Sequence, residues 1–105
     1  LLLPLALLLA FDPSDLRYYE CRISVGQVFS CTATGFTGQA VALGNGNLYR
    51  TCELAGGRVV TCGHAFTGTT VIEREDKFRE CDLAAGRVAS CKATGFNGEA
   101  VLMGR

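Results

Sequence analysis

Apolar and polar positions along the chain follow one pattern, stated three times. From Tyr18 the chain reads YYECRISVGQVFSCTATGFTGQAV, from Tyr49 YRTCELAGGRVVTCGHAFTGTTV, and from Phe78 FRECDLAAGRVASCKATGFNGEAV. Each copy has an aromatic three residues before a Cys, a Gly midway, a second Cys ten positions after the first, then Phe-x-Gly and a Val. Around each first Cys the apolar residues alternate with polar ones, the period of a strand. A Gly between two short alternating runs marks a hairpin, because Gly accepts the positive φ of tight turns. Gly26, Gly57 and Gly86 occupy that point.

Parity sharpens the hairpin reading. With an odd loop, residues whose numbers sum to an even value share a face. Cys21 with Cys31, Cys52 with Cys62 and Cys81 with Cys91 all satisfy this. A two-residue turn would put the two cysteines on opposite faces and exclude the bond. The expectation is therefore three hairpins with odd loops, each closed by its own disulfide. Alternation then places Ile23, Leu54 and Leu83, together with Phe29, Val60 and Ala89, on the cysteine face. Val28, Val59 and Val88 fall on the other face beside Ser30, Thr61 and Ser90.

Each Phe leads through a Gly turn into a third strand, beginning near Gln39, Thr69 and Glu99 and containing Val41, Val71 and Val101. Gly44-Asn45-Gly46-Asn47 and Glu73-Arg74-Glu75-Asp76-Lys77 read as solvated links. No run has helical periodicity. The fold class is all-β: three tandem repeats of about 30 residues (about 18–48, 49–77 and 78–105) with about nine strands. A compact meander, a small pseudo-threefold barrel or prism, and a short solenoid all fit.

The segment before the repeats differs in character. LLLPLALLLAF is too short to span a bilayer, which takes about 20 residues, and residues 1–12 read as a signal-peptide remnant. Residues 18–105 then form one small domain, of a size that commonly needs covalent support. Six cysteines in frame behind an export signal read as a disulfide framework, which implies a secreted or periplasmic protein. Ten acidic and ten basic residues cancel. With no basic stripe, nucleic acid is not an expected partner. Nor is stable membrane insertion expected after signal removal.

Candidate chemistry is sparse. The cysteines of a pair are ten positions apart, unlike the close thiolate pairs of zinc knuckles, so no metal is expected. His64 is the only histidine, with no Gly-x-Ser-x-Gly elbow beside it. No catalytic residue and no cofactor is assigned. Beside His64 the middle copy is one residue shorter than the others, Cys62 to Phe66 against Cys31 to Phe36 and Cys91 to Phe96. The simpler reading is a loop that tolerates deletion. Phe36, Phe66 and Phe96 are the best binding candidates, since an aromatic flanked by Gly can stack on a sugar or dock on a partner. The competing and favoured role for them is to fill the core. Arg58 and Arg87, at matching turn positions, could read a carboxylate or sulfate, or keep strand edges soluble.

Chemistry confined to one copy argues against an enzyme. The expected function is a secreted, non-catalytic binding or structural module with an unknown protein or carbohydrate ligand. The alternative is an exported inhibitor, toxin or effector using one loop, and an enzyme centred on His64 comes third.

Overall fold

The computed structural model describes residues 17–104; the apolar segment read as a signal remnant lies outside them. The strands are β1 (Tyr18–Ser24), β2 (Gln27–Cys31), β3 (Gly38–Leu43), β4 (Tyr49–Ala55), β5 (Arg58–Ala65), β6 (Gly68–Arg74), β7 (Lys77–Ala84), β8 (Arg87–Cys91) and β9 (Gly98–Met103). These nine strands form three antiparallel sheets, in the orders β2-β1-β9, β3-β4-β5 and β6-β7-β8. The protein is all-β, as the alternation predicts.

The sheets do not coincide with the sequence repeats. In each copy the hairpin stays together, but the third strand crosses to the next copy. β3 pairs with β4, β6 with β7, and β9 returns to β1. The last pairing runs from Tyr18 opposite Met103 to Ile23 opposite Gly98, so the final repeat closes onto the first. Gly104 donates its amide to the Arg17 carbonyl at 2.7 Å, extending that junction by one step.

All three disulfides lie within their hairpins: Cys21–Cys31, Cys52–Cys62 and Cys81–Cys91. Each joins residues directly opposite in the ladder, with Cα atoms 4.0, 4.0 and 3.9 Å apart. That spacing belongs to the close, non-hydrogen-bonded type of antiparallel pair. A closed loop of this length contributes about 2.7 kcal/mol by the chain-entropy estimate.

The route to this register corrects the odd-loop expectation. Every hairpin turns through two residues, Val25-Gly26, Gly56-Gly57 or Ala85-Gly86, all at positive φ. Such turns match strand twist. A bulge restores the parity. Ile23 faces Val28 and Arg22 faces Ser30, leaving Phe29 without an opposite number; Val60 and Ala89 are skipped in the same way. The extra residue brings the cysteines back onto one face.

The bulge also corrects the face assignment. Val28, Val59 and Val88 stand opposite Ile23, Leu54 and Leu83, and opposed residues share a face. Phe29 and Val60, expected on the cysteine face, are instead 63% and 62% exposed.

The core is made of Cys21, Ile23 and Leu102 in the first sheet, Ala42, Cys52 and Leu54 in the second, and Ile72, Cys81 and Leu83 in the third. In this pinwheel of three sheets, neighbouring sheets cover the first and third clusters. Val71 and Phe78 of the third sheet pack on the first cluster, and Tyr49 of the second sheet packs on the third. One buried sulfur sits in each cluster, so the staples are part of the packing.

Candidate functional site

The repeated Phe-x-Gly motif lies at the joints of the pinwheel. At each joint three backbone amides donate to three carbonyls in a closed cycle. Tyr18 donates to Gly57, Gly57 to Phe36, and Phe36 back to Tyr18, at 2.8, 2.8 and 2.9 Å. Tyr49, Gly86 and Phe66 repeat the cycle, as do Phe78, Gly26 and Phe96. Each cycle binds the turn Gly of one hairpin to two segments of the preceding repeat. The turn of the first repeat is held by the third.

All three positions of the motif are used. Phe36, Phe66 and Phe96 are half-buried, and each ring folds over the Gly two residues later. A Cβ on Gly38, Gly68 or Gly98 would come within 3.1, 2.9 or 3.0 Å of the ring. The middle residue caps the neighbouring turn. Thr37 Oγ1 accepts from the Gly56 amide at 2.9 Å, Thr67 Oγ1 from Ala85 at 2.9 Å, and Asn97 Oδ1 from Val25 at 2.7 Å. Arg58 and Arg87 are exposed and open the second strand of their hairpins. They directly follow the turn glycines bound to Phe36 and Phe66, so the structure brings each Arg to the joint of one Phe. Equivalent to them, Gln27 donates from Nε2 to the Asp76 carbonyl at 3.3 Å.

Sequence reasoning did not single out the polar rows that cross each sheet on the face opposite the buried cysteines. The first sheet aligns Ser30, Arg22 and Glu99; the second, Thr61, Glu53 and Gln39; the third, Ser90, Asp82 and Thr69. All nine residues are exposed. Within each row a cross-strand contact fixes the geometry. Arg22 Nε lies 3.3 Å from Glu99 Oε2, Gln39 Nε2 donates to Glu53 Oε2 at 2.6 Å, and Thr69 Oγ1 donates to Asp82 Oδ1 at 2.8 Å. The signal available beforehand was the mismatch among copies, since Arg22, Glu53 and Asp82 occupy the same repeat position.

Beside the third row, Lys92 Nζ sits 2.9 Å from Glu80 Oε1. That hydrogen bond, and then the Glu80 charge, raise the Lys92 ammonium above its ordinary pKa. Tyr18 is also raised, first by burial of its phenol and then by the neighbouring Tyr49.

His64 is exposed near the end of β5. It lines a hollow with Gln39, Thr51, Glu53, Thr61 and Phe66. Among the described residues, no group of three or more His, Cys, Asp or Glu side chains could hold a metal ion. No family model matches the chain, and no curated protein or solved structure matches it significantly.

Proposed function

We propose that the protein is an exported, non-catalytic binding module whose ligands meet the outward polar rows. One observation carries this reading: the repeated residues are consumed by the scaffold, while unlike residues face water at equivalent places. Cysteines staple, Phe-x-Gly closes the joints, and turn glycines enter the hydrogen-bonded cycles. Rows as different as Arg22 with Glu99 and Gln39 with Glu53 are then mounted on one frame. A rigid scaffold carrying varied surface chemistry is the usual arrangement of recognition proteins. Three disulfides in a small β protein fit an oxidising compartment, which supports export.

The test presents the folded protein to a glycan array and to extracellular protein extracts. Paired alanine substitutions are then made in each row. The reading expects a ligand whose binding falls on substitution of row residues. Absence of ligands of every class, together with a hydrolytic activity lost in His64→Ala, would overturn it.

A second reading, an inhibitor or effector acting through one loop, is favoured by Val25. This apolar side chain is 59% exposed at a hairpin tip and holds φ at +49°. Backbone strain of this kind gathers at functional segments. Loss of binding on changing Val25 alone, with the rows neutral, selects that reading.

A further inference from the structure

The middle repeat breaks the pseudo-symmetry where it is one residue short. In the first and third hairpins the second strand ends at Cys31 or Cys91, and the chain then bends through four residues before Phe36 or Phe96. The second hairpin has no such bend. β5 continues through Gly63 and His64 to Ala65, which pairs with Arg50. Arg50 Nη1 donates to the Gly63 carbonyl at 3.2 Å, as Arg79 Nη1 does to the equivalent Lys92 carbonyl at 3.3 Å in the third hairpin. This longer β5, with a second register shift opposite Thr51, sets His64 beside a hollow of about 510 Å³, against about 200 Å³ for the counterpart on the first sheet.

We infer that this hollow binds a neutral sugar ring, an inference that rests on the binding-module reading. Glu53 is held by Gln39 through one carboxylate oxygen, and a carboxylate has acceptor capacity for several hydrogen bonds, so it can also take ligand hydroxyls. Hydrogen bonds to a charged acceptor are stronger than neutral ones. Thr51 and Thr61 each donate and accept, as hydroxyls facing hydroxyls must. His64 adds a ring nitrogen, and Phe66, its ring folded over Gly68 and packed on the third cluster, borders the hollow. A few polar groups converging beside an aromatic ring is the make-up of a small-molecule site. An anionic ligand would meet the Glu53 charge with no Lys or Arg in the lining to offset it. An apolar ligand would cover the hydroxyls and the carboxylate while offering them no hydrogen bonds.

The experiment is an amide NMR titration of the intact protein with methyl glycosides of gluco, galacto and manno configuration, and with glucuronate as the anionic control. At least one neutral glycoside should give saturable shifts at Thr61, His64 and Phe66, leaving Thr69, Asp82 and Ser90 unmoved. Glu53→Gln should weaken that binding by about tenfold, the loss expected for a hydrogen bond to a charged group. Inserting one Ala between Gly63 and His64, to restore the spacing of the other copies, should abolish it. Should the insertion disturb the fold, His64→Ala, an exposed substitution, must still weaken binding.

The inference is overturned if no neutral glycoside shifts these amides, if all three sheets respond alike, or if glucuronate binds best. Undiminished binding in the folded insertion variant or in His64→Ala also overturns it. A silent titration alongside a ligand captured on another row would end this inference and leave the module reading standing.

Discussion

Val25 and Ala85 hold φ at +49° and +50° in the first position of their turns, where the second hairpin has Gly56. A β-branched residue is a poor occupant of the left-handed region, and Asn is a good one. Val25→Asn should therefore raise unfolding stability by about 1 kcal/mol, read from denaturant melts. The turn keeps its hydrogen bond to Asn97, because the donor there is the backbone amide. Tyr18 gives a pH prediction. Its raised pKa means that the folded state favours the neutral phenol. The associated stability is fully present below the ordinary value of 10.0 and is lost as pH rises through the folded value. Urea midpoints should fall on the alkaline side of pH 10, and less steeply in Tyr18→Phe. At this scale the sequence exposed much of the scaffold. Phe36, Phe66 and Phe96 were recognisable as repeated aromatics with Gly making room. That Thr37, Thr67 and Asn97 cap a turn in another repeat was not, since the bond spans 19, 18 and 72 residues.

The hairpin is the element that determines the covalent framework. The pairing of the cysteines was legible because number parity survives any way of adding one residue between them. Where that residue sits was not, because a longer turn and a bulge have the same count. The chain uses a two-residue turn and a bulge at Phe29, Val60 or Ala89, and the bulge displaces the alternation that follows. Removing the extra residue tests this directly. Deleting Ala89 shortens the distance from the turn to Cys91 by one position and carries its side chain to the face away from Cys81. Titration of thiols in the purified variant should find Cys81 and Cys91 free, with the other bridges intact. Full oxidation to Cys81–Cys91 would show that the turn, and not the bulge, sets the register. The shortened segment before Phe66 belongs to this scale too. The missing residue was visible at once, but its effect was not, because lengthening β5 depends on pairing with Arg50.

In the whole molecule, three hairpins are locked in a ring by exchanging their third strands. Counting strands was possible from the repeats. Assigning β3, β6 and β9 to the following hairpin was not, because strand pairing between repeats leaves no trace in the period of one repeat. The exchange explains why small clusters such as Cys21, Ile23 and Leu102 suffice. Every sheet takes strands from two repeats, and every joint adds a cycle of three backbone hydrogen bonds. The most direct test is the pattern of cross-strand Hα–Hα contacts in a nuclear Overhauser spectrum. Close contacts are predicted between Arg22 and Glu99, Glu53 and Gln39, and Asp82 and Thr69, each joining two different repeats. Contacts placing Gln39, Thr69 or Glu99 beside a strand of its own repeat would contradict the ring.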